Sequence, residues 1–88
     1  GAVDVWTAGT ILFCMLTGNR SYQQPHPSDP QFYWMTRGLT QMLSDWDVKL
    51  SPEGVHLLQN MLQVDPRLRL TIEEVVNHPW FDHPDDLA

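Results

Sequence analysis

The stretch from Val3 to Leu16 constrains this chain more than any other. Val5, Trp6, Ala8, Ile11, Leu12, Phe13, Cys14, Met15 and Leu16 leave it without a clean polar face. It is too short for a membrane span, which needs about 20 residues. Val and Ile would permit a strand, but the length and the stop at Gly18 favour a helix. A helix that is apolar all round is a buried helix. Eighty-eight residues can hardly surround one, because a chain this short buries only about 60–65% of the surface its unfolded form exposes. The core is therefore marginal unless something else braces it.

The rest of the chain reads as further helices joined by punctuated loops. Asn19 to Pro30 holds Pro25, Pro27 and Pro30 among small polar residues and is a loop. It is longer than the usual connection, which suggests a functional or packed loop. Gln31 to Arg37 reads as a short helix closed by Gly38, and Leu39 to Leu50 stays open between helix and loop. Ser51-Pro52-Glu53 starts a helix, with serine at the cap, proline in the first turn and an acid at the positive end of the dipole. Val55, Leu58, Met61 and Leu62 recur at helical spacing, and Asp65-Pro66 is expected to end the run. Thr71-Ile72-Glu73-Glu74 is a capping box opening a helix to about Asn77, stopped by His78-Pro79-Trp80. The acidic tail after Phe81 is expected to fray. The fold class is all-α, with about four helices.

Charge and cysteine usage exclude several functions. A net charge of −6 with five scattered basic residues argues against a nucleic-acid or anionic-membrane partner, since both need clustered Lys and Arg. Cys14 stands alone, so no internal disulfide forms. That fits an intracellular chain, in cytoplasm or nucleus. The start at Gly-Ala-Val-Asp, without Met, suggests a fragment, and no secretory signal is expected.

Few residues invite chemistry. His78 and His83, with Asp82, Asp85 and Asp86 nearby, suggest a metal site, but they lie in a proline-broken tail and read as solvated turn residues. Cys14 lies mid-helix among apolar neighbours and reads as a core thiol. Gly9, Gly18, Gly38 and Gly54 are isolated, so no glycine-rich phosphate loop exists. Trp6, Trp34, Trp46 and Trp80 read as packing anchors rather than base-stacking platforms. Two charged residues need partners. Asp4 either serves its own helix start or, if buried further, accepts hydrogen bonds from another segment. Arg69, between Leu68 and Leu70, calls for a carboxylate.

Asp4-Val5-Trp6-Thr7-Ala8-Gly9, followed by Ile11-Leu12-Phe13 and Met15-Leu16-Thr17-Gly18, resembles the D-x-W-x-x-G helix at the centre of the large lobe of eukaryotic protein kinases. Leu50-Ser51-Pro52-Glu53 with Leu57-Leu58 and Met61-Leu62 resembles the helix that follows at the lobe's base. Asp65-Pro66-Arg67-Leu68-Arg69 is similar to the family's D-P-x-x-R. Thr71-Ile72-Glu73-Glu74 through His78-Pro79-Trp80-Phe81 is similar to its closing helix and H-P-W-F end. Four motifs in this order cover almost the whole chain. The helices resemble the calmodulin-dependent branch, and Tyr22-Gln23-Gln24-Pro25 with Leu43-Ser44-Asp45-Trp46 resembles the checkpoint effector kinases. Ser21-Tyr22 stands where relatives usually carry proline and an aromatic pair, which leaves the subfamily open.

The resemblance implies a C-terminal part of a Ser/Thr kinase domain over residues 1–83, with an acidic tail over 84–88. The family's glycine-rich loop, strand lysine, H-R-D loop, D-F-G and A-P-E motifs would all lie before Asp4. The chain therefore holds no catalytic, cofactor-binding or metal-binding residue of its own, and Mg-ATP belongs to the parent kinase. The implied roles are structural. Asp4 matches the aspartate that holds the catalytic-loop backbone, and Arg69 matches the arginine that pairs with the A-P-E glutamate. Both are then expected to act through partners outside the chain. Trp6, Gly9, Asp65 and Trp80 complete the motif positions. The loop from Asn19 and the helix to Arg37 match a docking region for protein substrates or regulators. The implied partner is the preceding part of the same domain. Two other readings are a non-catalytic helical interaction module from a truncated kinase and a free-standing helical bundle, though the bundle leaves the four ordered motifs unexplained.

Overall fold

The computed structural model describes residues 2–87, with side chains from Asp4 onward; Val3, counted above with the apolar stretch, lies outside the described side chains. All regular structure among the described residues is helical. The α-helices are α1 (Ala2–Thr17), α2 (Pro30–Arg37), α3 (Leu39–Asp45), α4 (Pro52–Met61) and α5 (Ile72–Val76), followed by 3-10 turns at Pro79–Asp82 and Asp85–Leu87. The four expected helices are present, and the stretch left open supplies the fifth. No described helix is long and apolar enough to cross a membrane.

Local chemistry sets the boundaries. At the end of α1, Gly18 adopts φ 70°, a left-handed conformation that glycine reaches without strain, and its N–H donates to the Cys14 carbonyl. Asp29 caps α2, accepting from the N–H groups of Gln31 and Phe32. Its other carboxylate oxygen accepts from those of Gln23 and Gln24, so one side chain fixes both ends of the loop segment. These four backbone donors, led by Phe32, hold its carboxyl below the usual range against the opposing effect of burial. Ser51 caps α4 through the Gly54 N–H, and Thr71 with Glu74 forms the expected reciprocal capping box on α5. α4 ends at Met61, short of Asp65. The Leu70 N–H returns to the Asn60 carbonyl, and the Leu68 N–H to that of Asp65, so 62–70 is a closed loop rather than more helix.

Two apolar clusters form the core, and α1 and α4 contribute to both. Phe13, Leu58 and Leu62 meet Met35, Leu39, Met42 and Leu43 of α2 and α3 on one side. Val5, Leu57 and Met61 meet Val75 and Trp80 on the other. α1 and α4 approach closely at Gly9, where an added Cβ would lie 3.0 Å from the Met61 Cβ and 3.1 Å from a Leu62 methyl. The assembly measures 35 × 31 × 16 Å. A helix with its side chains is about 10–12 Å across, so a slab 16 Å thick cannot wrap α1. Its far side is left open, with Ile11 56% and Met15 64% exposed. The expectation of a helix buried on every side thus holds for only one of its faces in this chain.

Candidate functional site

Of the motif residues expected to carry the family's architecture, Trp6 and Arg69 meet beside the first turns of α1. Trp6 is half-buried, and its indole Nε1–H donates to the Tyr22 hydroxyl over 2.7 Å. Its ring lies 5.9 Å from that of Phe32, which meets Tyr22 edge-on at 5.3 Å. The loop after α1 and the start of α2 are thereby tied to the start of α1. The sequence marked Trp6 as a packing anchor, but its polar edge also fastens this loop.

Arg69 lies over the Trp6 ring, with the guanidinium carbon 5.0 Å from its centroid. Its Nε–H donates to the Gln63 carbonyl at 2.9 Å and its Nη2 to the Val64 carbonyl at 3.2 Å. The sequence called for a carboxylate here. The closed loop turns two carbonyls toward the guanidinium, so Arg69 has partners inside the chain. Trp6, Arg69, Pro25, Phe32 and Val64 line an apolar cleft of about 290 Å³.

Asp65 braces the same loop. It accepts from the Arg67 N–H at 2.9 Å and from two guanidinium nitrogens of Arg67 at 3.1 and 2.9 Å. The Arg67 side chain is the main cause holding its carboxyl below the ordinary value, with Arg69 a lesser one. Asp4 stands exposed in the first turn of α1. Gly9 lies against α4, as described above. Trp80 is 2% exposed in the second cluster, away from Trp6. The structure thus brings together Trp6, Arg69 and the Asp65 turn, and keeps Trp80 apart.

The face of α1 away from the core carries a narrow stripe. Asp4, Ala8, Ile11 and Met15 follow at spacings of four, three and four, and all four are exposed. Val5, Gly9 and Phe13 point the opposite way and are buried.

Several residues outside the expected set prove structural. His78 is not a solvated turn residue: it is 7% exposed and its Nε2 lies 2.8 Å from His56 Nδ1. The tail is not frayed at Asp86, whose carboxylate accepts from the Ser51 N–H at 2.8 Å, the Ser51 hydroxyl at 2.6 Å and the Trp80 indole at 2.8 Å. Burial raises the Asp86 pKa, but these hydrogen bonds outweigh it and hold the carboxyl below the ordinary value. Gly54 leaves room for this approach, since a Cβ there would collide with the Asp86 carboxylate. Cys14 is half-buried and packs against the first cluster. Among the described residues no group of three or more His, Cys, Asp or Glu side chains is placed to hold a metal ion. Among the described residues no acid cluster is placed for a magnesium ion, and the sequence holds no glycine-rich loop for phosphates.

The sequence profile of the protein kinase domain matches residues 1–81. The chain belongs to the protein kinase family. It is 36% identical over 81 residues to the serine/threonine-protein kinase DCLK3 of Mus musculus, covering 91% of this chain and 10% of that protein. It is 31% identical over 85 residues to the serine/threonine-protein kinase CHK1 of Mycosarcoma maydis, covering 97% and 13%. It is 39% identical over 82 residues to the serine/threonine-protein kinase SRK2C of Arabidopsis thaliana, covering 89% and 23%. No solved structure gives a significant match. This kinase segment thus spans between a tenth and a quarter of the length of these relatives. Its all-helical fold agrees with a C-terminal segment of a kinase large lobe, and its relatives are serine/threonine kinases.

Proposed function

We propose that this chain forms the base of the large lobe of a Ser/Thr protein kinase, and that its work is to hold the catalytic loop in place and to offer a docking face. The observation that carries this reading is the exposed stripe Asp4, Ala8, Ile11 and Met15 on a helix whose opposite side is core. An apolar stripe with a carboxylate at its head suits a segment that brings apolar side chains and backbone N–H groups. The preceding part of the same domain is the occupant to which the reading commits, because the chain spans at most a quarter of the kinases it resembles. Asp4 would accept from the catalytic-loop backbone, and Arg69, beside the open cleft at Trp6, would also meet the A-P-E glutamate. The loop after Gly18 and α2, with Tyr33 and Trp34 exposed, would take protein substrates or regulators. Mg-ATP and phosphoryl transfer to Ser or Thr would belong to the rest of the domain. On this reading residues 1–83 are kinase domain and 84–88 its tail. The calmodulin-dependent branch and the checkpoint effector subfamily extend the proposal.

Methionine oxidation tests it. In the isolated chain Met15, 64% exposed, should react with peroxide well before Met35, Met42 and Met61, which are 2%, 6% and 3% exposed. In the full-length kinase Met15 should become as slow as those three. Equal rates for Met15 in both contexts would sink the reading in favour of a non-catalytic helical module.

A further inference from the structure

Two hydrogen bonds around His78 fix the protons on a pair of imidazoles. The Trp80 backbone N–H donates to His78 Nδ1 at 3.0 Å, so that nitrogen carries no proton. In a neutral ring the proton then sits on Nε2, which lies 2.8 Å from His56 Nδ1 and donates to it. His56 in turn carries its proton on Nε2. The arrangement admits no charge. Protonating His78 at Nδ1 would turn a donor against the Trp80 N–H. Protonating His56 at Nδ1 would set two N–H groups face to face. The rings lie 5.0 Å apart between centroids with 30° between their planes.

We propose that His56 and His78 form an acid-sensitive latch, closed when both rings are neutral and opened by one proton, that fastens the segment beginning at His78 to α4. His56 lies on the solvent side of α4 and gives protons access. His78 is shut in, and joins the end of α5 through its own N–H to the Val75 carbonyl. Behind it stands the 3-10 turn at Pro79–Asp82, with Trp80 in the second cluster. Glu53 of α4 faces the pair and favours a charged ring, while Asp82, His83 and Asp85 line the adjoining cleft with Ser51, Glu53 and Pro79. Burial is the largest effect on His78 and lowers its pKa, His56 lowers it further, and Glu53 opposes both. A histidine whose folded pKa lies below its unfolded value stabilises the fold fully above the unfolded pKa of about 6.5 and progressively less as pH falls below it.

The test has two readings on the 88-residue chain. Nitrogen-15 shifts of the imidazoles at pH 7.5 should show His78 neutral with the proton on Nε2. A charged His78, or a proton on Nδ1, overturns the latch. Thermal melts between pH 8 and 5.5 should show stability falling on the acid side, by at most about tenfold in the folded-to-unfolded ratio per pH unit for one proton. His78→Asn keeps an acceptor for the Trp80 N–H, because an asparagine oxygen caps the same position, and it removes the titrating ring. That variant should stay folded and lose the acid slope. An unchanged slope in His78→Asn would assign the pH dependence to other groups and defeat the proposal.

Discussion

The guanidinium of Arg69 lies over the indole of Trp6, 5.0 Å from its centroid, while its nitrogens reach the carbonyls of Gln63 and Val64. One side chain thereby joins the start of α1 to the loop after α4, which lie more than fifty residues apart in sequence. Whatever Arg69 meets beyond the chain, these contacts are internal. Arg69→Ala should therefore destabilise even the isolated chain, by roughly 1–2 kcal/mol. That is below the usual range for hydrogen bonds from a charged group, because water reaches the site. Arg69→Lys should recover only part of the loss, since an ammonium lacks the planar fork. Urea unfolding of the three proteins checks both expectations, and an unchanged midpoint for Arg69→Ala would refute the first.

Gly9 sets the distance between α1 and α4. A Cβ there would lie 3.0 Å from the Met61 Cβ and 3.1 Å from a Leu62 methyl, tighter than ordinary van der Waals contact, so Gly9→Val should cost about 1–3 kcal/mol from overpacking. Exposed helical glycines behave oppositely, since replacing one with a better helix former usually helps. Denaturant midpoints for Gly9→Val distinguish the two outcomes.

Asp86 should hold the tail in a pH-dependent way. Its carboxyl lies below the ordinary 3.8 in the fold, so its contribution is present above that value and is lost as pH falls through the lower, folded one. Asp86→Ala should speed amide exchange in 85–87 and shift the Trp80 emission. Gly54→Ala should do the same from the other partner, by excluding the carboxylate. Exchange rates in the tail that match those of the parent chain in both variants would count against the contact.

The open stripe of α1 should make the isolated chain bind apolar dyes or self-associate. Ile11→Glu and Met15→Lys remove the apolar surface without touching the core, because both positions are exposed. Sedimentation and dye fluorescence should both fall in the double variant. A monomeric, dye-free parent chain would contradict this.

Much of this fold is legible from capping residues. Ser51, Thr71 and Gly18 mark their helix ends because each satisfies the backbone through its own short side chain or its own φ angle. α3 stayed open because its first residue follows Gly38, which offers no side-chain cap, and because seven residues hold too few turns for a period to emerge. The site was legible as a set of motif positions, but its contacts were not. Tyr22 meets Trp6 across 16 residues, His56 meets His78 across 22, and Ser51 meets Asp86 across 35. No local pattern encodes such pairings. His78 next to Pro79 reads as a turn residue because that is its backbone role, while its ring faces inward.

Asp29 accepts four backbone hydrogen bonds, two from Gln23 and Gln24 and two from the first turn of α2. Pro25, His26, Pro27 and Ser28 lie between those anchor points and are all exposed. Asp29 thus anchors both ends of the loop, His26 adds a local contact by accepting from the Ser28 N–H, and exposed residues between the anchors could change identity without moving the helix behind them. A kinase lineage could exchange this short cassette to present new side chains beside α2 while its folding requirements stay the same. Selection would then act on the enclosed residues for what they touch and on Asp29 for what it holds.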